Sequence, residues 1–230
     1  MRLLNALRAD IRFQFKQGFY LVYLLLTLVY MIILTRLPLE WKKIAVPLTV
    51  FSDPSMVGFF FIGAIVMLEK VQGVLQYVTV TPLRSIEYLL AKVISLTLVA
   101  LVAGIMITIA AYQESTNWPV LIVGIILTSS FFVLYGFIAA ADCTTMNQYF
   151  IKMIPYMLVI ILPCFSLIGF PYSWVFNVFP GVAGLQLVLG AFNEITLQKT
   201  MGFSAYLLAA NILMLFYVEK VFDRMVAKGE

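Results

Sequence analysis

The sequence contains no histidine and only two cysteines, Cys143 and Cys164. Histidine is the commonest catalytic general base and the commonest metal ligand, so its absence argues against an acid–base enzyme and against a metal site. Two cysteines are too few for a metal cluster. The chain also lacks a G-x-x-x-x-G-K-[ST] phosphate loop, so it does not bind ATP by that route. We therefore expect no catalytic residues and no cofactor in this chain.

Charged residues are scarce as well. They make up 11% of the 230 residues, hydrophobic residues make up 63%, and the mean hydropathy is +1.03. A soluble protein of this size needs more charge to cover its surface, so the composition predicts an all-α integral membrane protein with a single domain, 1–230. The net charge of +4 is then information about topology and gives no reason to expect a nucleic-acid partner.

Six runs are apolar and long enough to cross a bilayer. They are predicted at residues 19–35, 50–68, 93–112, 119–141, 153–169 and 202–218. No charged residue occurs between 153 and 193, and proline and glycine interrupt the second half of that region. We interpret 172–192 as a re-entrant helical hairpin before the sixth span, because broken backbone at membrane depth needs protein or water around it. A seventh span is the alternative, and it would place the C-terminus outside.

The basic residues favour one orientation. Eleven Lys or Arg residues lie in the N-terminal segment, in loops 69–92 and 142–152 and in the C-terminal tail, whereas the other three loops contain four. Cytoplasmic loops are enriched in Lys and Arg, so we expect both termini in the cytoplasm of a bacterium, with the chain in its inner membrane. Arg36, Lys42 and Lys43 are exceptions to this pattern.

Residues 1–17 are predicted to form an amphipathic helix in the membrane interface. Its apolar stripe and its basic stripe lie on opposite sides, and basic side chains on such a helix contact anionic lipid headgroups. The apolar residues are Leu3, Leu4, Leu7, Ile11 and Phe15, and the basic residues are Arg8, Arg12 and Lys16. An ordinary cytoplasmic cap before the first span is an equally good interpretation.

The segment from 69 to 92 lies between two spans. It is too hydrophobic for a free linker and too charged for a span, so we predict a short helix against the membrane face, bounded by Pro82. Its residues also resemble a motif of type-2 ABC export permeases, E-[RK]-x-x-G-x-L followed by T-P-[LI]-[RS] and E-[YF]-[LI]-x-x-K. The matching residues are Glu69, Lys70, Gly73, Leu75, Thr81, Pro82, Leu83, Arg84, Glu87, Tyr88, Leu89 and Lys92. Val74 before Leu75 is a mild departure from the family pattern.

That resemblance implies a function. In the family the loop after the second span carries a coupling helix, which docks on a separate ATPase subunit that binds ATP and Mg²⁺. We call residues 69–92 the coupling segment. The resemblance further implies outward transport. The apolar, aromatic spans favour a hydrophobic or amphipathic substrate, such as a drug, lipid or peptide. Six spans of one chain leave too little wall to enclose it, so we also expect a second permease copy, identical or different. Small drug-exporter and antibiotic-immunity permeases are the most similar members. The implied coupling residues are Glu69, Lys70, Gly73, Leu75, Thr81, Pro82 and Arg84.

Several individual residues have two interpretations. Glu69 and Lys70 are either a functional hinge or the solvated end of a span, and we expect Lys92 to snorkel to the interface. Asp53 is either a helix cap before Pro54 or an intramembrane functional charge.

Hydroxyl groups also recur along one face of the first span. They either line a substrate pathway or pack against another helix, because lipid does not favour hydroxyl groups at that depth. The candidate pathway residues are Tyr23, Thr27 and Tyr30.

Two other functional classes fit the sequence less well. A standalone channel or secondary transporter is expected to carry several charges within its spans, and Asp53 is the only candidate here. A lipid-modifying membrane enzyme is expected to have paired acids or histidine, and the chain has neither in one predicted layer.

Overall fold

The computed structural model describes residues 2–52, 54–74, 83–161, 178–193 and 195–227. Within these residues every regular element is an α-helix, as the composition predicts. The helices are α1 (Arg2–Lys16), α2 (Phe19–Thr35), α3 (Leu39–Ser52), α4 (Pro54–Val71), α5 (Ser85–Ala111), α6 (Trp118–Ala141), α7 (Met146–Ile161), α8 (Pro180–Phe192) and α9 (Leu197–Ala227).

Four stretches of the described chain are long and apolar enough to cross a membrane, namely α3 with α4, α5, α6 and α9. A fifth is reached if α1 and α2, which meet at an angle of 67°, count as one bent span. The fifth span predicted from the sequence, 153–169, is described only as far as Ile161. The described chain therefore supports a multi-pass helical membrane protein with four or five such helices.

The predicted first and fourth spans agree with α2 and α6 within one residue. Two predicted loops are wrong, however, because α3 already begins at Leu39 and α7 at Met146. In α3 the charged residues occupy exposed or partly exposed positions of the first turns, where Glu40 suits the positive end of the helix dipole. Charged residues in a first turn resemble a loop in the sequence, although they belong to the helix.

The predicted re-entrant hairpin, 172–192, is described from residue 178 onward, and its helix is α8. The 13 residues of α8 rise about 20 Å, too short for the bilayer core of about 30 Å, and most of them are buried. Residues 172–177 of the hairpin and Asp53 lie outside the described residues.

Helix α6 lies at the centre of the bundle and packs against α4, α5, α8 and α9. Small residues allow these close contacts: a Cβ atom on Gly136 would lie 2.5 Å from the carbonyl oxygen of Phe59. Gly58 of α4 likewise faces the side chain of Val133. Helices in membranes associate largely through close packing at small residues, so this pair of contacts fixes α4 against α6.

The segments predicted to be cytoplasmic meet at one end of the bundle. Lys92 contacts α1 and α4, and the Lys70 ammonium donates to the backbone after α6. The Ser85 hydroxyl donates to the Asp223 carboxylate, at a distance of 2.5 Å, near the end of α9. We call this end of the bundle the coupling end.

The segments predicted to be external meet at the opposite end. Lys43 and Glu114 form an ion pair of 2.9 Å, and the backbone N–H of Asn117 donates to the carbonyl of Ala191. The segments between helices thus gather alternately at the two ends of the bundle, as the distribution of basic residues predicts. Which end faces the cytoplasm stays a prediction.

Candidate functional site

The coupling end contains a buried ionic cluster. The Lys92 ammonium lies 2.8 Å from a carboxylate oxygen of Asp10 and 2.7 Å from one of Glu69. These three side chains come from α5, α1 and the last turn of α4, and each residue is at most 7% exposed. Three helices are therefore joined by one ammonium group at the point where the coupling segment begins and ends.

Neutral donors complete the coordination of both carboxylates. Gln14 donates its amide N–H to Asp10 at 2.6 Å, and the Ser95 hydroxyl donates to the same oxygen. The Tyr88 hydroxyl donates to the second oxygen of Glu69. Every contact to a carboxylate oxygen comes from a donor, so the geometry suits two ionised carboxylates and one ammonium. We call these six residues the Lys92 cluster.

The interpretation of Lys92 as a snorkelling side chain is wrong. Its residue is 2% exposed and its charge is satisfied by protein. The interpretation of Glu69 and Lys70 as a solvated helix end is also wrong. Glu69 is buried, and Lys70 is partly buried and donates to the carbonyl oxygens of Ala141 and Cys143 at 2.8 and 2.9 Å. A lysine in this position stabilises the C-terminal end of α6, where the last carbonyls lack partners within the helix.

Sequence reasoning missed three members of the cluster, namely Asp10, Gln14 and Ser95, and it identified Tyr88 as a motif residue without assigning it a role. A signal was present, because Asp10 and Gln14 are four residues apart on α1, as are Tyr88 and Lys92 on α5. Residues at this spacing share a helix face, so each helix carries a polar stripe. Nothing in the spacing indicates that the two stripes face each other.

Helix α1 therefore buries a polar face. Part of the predicted apolar stripe points away from the protein, with Leu4 63% and Phe15 74% exposed, whereas Leu3 and Leu7 are partly buried. Arg8, Arg12 and Lys16 are exposed as well. A helix that buries polar groups and exposes both an apolar and a basic stripe has the distribution expected of a membrane-interface helix.

The described parts of the coupling segment have defined backbone geometry at each end. Gly73 follows α4 with a φ of +69°, a left-handed conformation that favours glycine and ends helices. Arg84 is the N-cap of α5, and its backbone N–H donates to Glu87 at 3.0 Å. The predicted coupling residues Leu75, Thr81 and Pro82 lie outside the described residues.

Two of the three candidate pathway residues face a cavity of about 380 Å³ between α2 and α5. Tyr23 and Thr27 are buried and border it, together with the Ser95 side chain of the Lys92 cluster. Tyr30 is partly buried against the main core and does not border this cavity. The face therefore packs on a neighbouring helix and partly lines a cavity, and a role of this cavity in the substrate pathway stays a prediction. We call this cavity the α2–α5 groove.

A second cavity, of about 460 Å³, lies among α6, α7, α8 and α9. Its walls are almost entirely apolar, and Phe131, Phe132, Tyr135, Phe179 and Tyr217 are among them. Within the described part of the chain no group of Cys, Asp and Glu residues could hold a metal ion.

Comparison with known proteins adds independent information. The profile of the fluoroquinolones export permease protein family matches residues 1–230. Two curated relatives, from the Mycobacterium tuberculosis strains CDC 1551 / Oshkosh and ATCC 25618 / H37Rv, are each described as a fluoroquinolones export permease protein. Each is 26% identical to this chain over 197 residues, which cover 85% of this chain and 83% of the relative. The resemblance to export permeases drawn from the coupling segment is thereby confirmed.

Proposed function

Because this chain belongs to the fluoroquinolones export permease protein family, we propose that it is the membrane subunit of an ATP-driven exporter. A separate ABC ATPase subunit hydrolyses ATP, and the permease itself performs no chemistry. The observation that carries this proposal is the buried contact between Glu69 and Lys92, which ties the two ends of the coupling segment together. A segment held at both ends transmits a push from a docked partner to the helices on either side.

The proposed topology has six spans with both termini in the cytoplasm of a bacterial inner membrane. It is supported by the distribution of basic residues and by the meeting of all four basic segments at the coupling end. In this topology the coupling segment faces the cytoplasm, where ATP is available. The proposed docking residues are Glu69, Lys70, Gly73, Leu75, Thr81, Pro82 and Arg84.

The proposed substrate is a hydrophobic or amphipathic molecule, and the names of the relatives suggest a fluoroquinolone as the first one to test. Six spans of one chain leave too little wall to enclose such a molecule, so we place the pathway between two permease copies. Closure of the ATPase dimer then moves the coupling segments and opens the pathway outward, as a rigid-body switch.

Copurification tests the docking part of this proposal. We expect the ATPase subunit encoded beside this gene to copurify with the wild-type chain, and Gly73→Asp combined with Leu75→Asp to abolish this association. Ser115→Asp, an exposed site at the other end of the bundle, is the matched control and should copurify normally. If the double variant copurifies with the ATPase as well as wild type does, the coupling segment is not part of the contact between the two subunits.

Transport is tested in inside-out vesicles that contain both subunits. We expect ATP-dependent accumulation of a fluoroquinolone, measured by its own fluorescence, and no ATP hydrolysis by the purified permease alone. Accumulation by the permease without an ATPase would contradict the proposal and favour a secondary transporter.

A further inference from the structure

We propose that Lys92 is a positioning residue that clamps α1 to the coupling segment, so that movement of this segment reaches α2 as well as α4 and α5. This inference rests on the proposed function, since it assigns the path by which a docked ATPase moves the spans. It gives α1, which the sequence places at the membrane interface, a second role as a mechanical link.

The contacts form a closed connection between helices. Asp10 joins α1 to Lys92 at 2.8 Å, and Gln14 joins α1 to Ser95, one turn further along α5, at 2.8 Å. Glu69 joins Lys92 to the last turn of α4 at 2.7 Å. Both ends of the coupling segment and the interfacial helix therefore share one buried polar centre.

The chain then continues directly from α1 into α2. Gly18, with a φ of +79°, makes the bend between the two helices, so a displacement of α1 is passed to the start of the first span. The α2–α5 groove lies just beyond this bend, and Ile11 of α1 and Ser95 border it. A movement of the clamp thus changes the spacing of α2 and α5 at the groove.

Electrostatics keep the clamp closed during such a movement. The ammonium and both carboxylates are buried, and separating them would leave an uncompensated charge in a medium of low dielectric constant. The Lys152–Asp142 pair at the same end is different, because its aspartate side chain is 81% exposed and water replaces the partner readily. Of these two sets of ion pairs, the buried one is therefore the one that can hold helices together under load.

Asp10→Asn is the sharpest test. It keeps the shape of the side chain and leaves Lys92 paired with Glu69, so the variant should fold while losing the charge that attaches α1. Asp142→Asn removes the exposed ion pair and is the matched control.

The first measurement uses hydrogen exchange of the whole permease in detergent, without the ATPase. We expect amides of α1 to exchange about tenfold faster in Asp10→Asn, while α6 and the Asp142→Asn control are unchanged. Equal exchange of α1 in wild type and Asp10→Asn would overturn the clamp. This result does not depend on whether the chain is an exporter subunit.

The second measurement compares the permease–ATPase complex without nucleotide and trapped with ATP and vanadate. We expect trapping to change exchange in α1 and α5 together in wild type, and in α5 alone in Asp10→Asn. An α1 response in Asp10→Asn equal to wild type would show that the clamp is only structural and would overturn the proposal. If the wild-type chain does not bind the ATPase, the proposed function fails. The first measurement still shows whether Lys92 and Asp10 hold α1 in place.

Discussion

The ring of Tyr149 in α7 lies directly on the backbone of Gly63 in α4, and its hydroxyl donates to the carbonyl of Phe59 at 2.7 Å. The residue is 1% exposed. A Cβ atom on Gly63 would overlap the ring, so glycine is what allows α7 to approach α4. Among the described residues α7 also packs against α6, and the Tyr149–Gly63 pair is what brings it onto α4.

Gly63→Ala should consequently destabilise the protein. The methyl group forces the Tyr149 ring and α7 away from α4, and overpacking of this kind costs about 1–3 kcal/mol. The loss should appear as a lower thermal unfolding midpoint of the purified protein in detergent. Gly202→Ala, in the interior of α9, is the control, because a Cβ atom there meets no atom within 4 Å. It should leave the midpoint unchanged or raise it, since alanine favours a helix more than glycine does.

Lys70→Met should weaken the junction between α4 and the end of α6. The variant keeps most of the side-chain volume and removes the donor to the carbonyls of Ala141 and Cys143. Unsatisfied polar groups of this kind cost about 1–3 kcal/mol, visible as a lower unfolding midpoint. Lys152→Met, which breaks only an exposed ion pair, should cost less, and an equal loss in both variants would contradict the assigned role of Lys70.

Asp10→Asn and Glu69→Gln should act on stability in a non-additive way. Either change alone leaves Lys92 one carboxylate partner, whereas the double variant leaves a buried ammonium with none. Removing the last partner of a buried charge costs about 3–5 kcal/mol, so the double variant should lose more unfolding free energy than the two single variants together.

A control cycle with Asp142→Asn and Glu114→Gln should be additive, because these residues lie at opposite ends of the bundle and belong to different ion pairs. If the losses of unfolding free energy for Asp10→Asn and Glu69→Gln are additive, the ammonium of Lys92 is not stabilised jointly by the two carboxylates.

If a fluoroquinolone is the substrate, as proposed, and the α2–α5 groove is part of its pathway, Val102→Trp should reduce its transport. Val102 borders the groove, and an indole there fills much of it. Ile109→Trp on the same helix is the matched control, since Ile109 is 65% exposed and does not border the groove. Equal amounts of substrate transported per ATP hydrolysed in the two variants would show that the groove is not part of the substrate pathway.

Cysteine labelling tests the orientation. In a background with Cys143 and Cys164 replaced by serine, an impermeant thiol reagent added to intact cells should label Thr116→Cys and not Thr79→Cys. Labelling of position 79 alone would place the coupling segment outside the cell, where no ATPase subunit can reach it. Lysed cells, in which both positions react, provide the control for accessibility.

The sequence by itself determined the class of this protein and the bounds of its most regular helices. Sparse charge and long apolar runs allow only a membrane protein, and α2 and α6 end where hydrophobicity ends. The multi-residue pattern of the coupling segment indicated an export permease, in agreement with the family profile. These properties depend on composition and local order, which a sequence displays directly.

Only the tertiary structure decided the environment of individual charges. Lys92 looked like an interface residue because its neighbours along the chain are apolar, and its partners Asp10 and Glu69 lie far from it in sequence. Hydropathy averages over a helix and contains no information about which helices meet. A buried charge is stable only when a partner of opposite charge lies within hydrogen-bonding distance. For Lys92 the packing of α1, α4 and α5 brings these partners together.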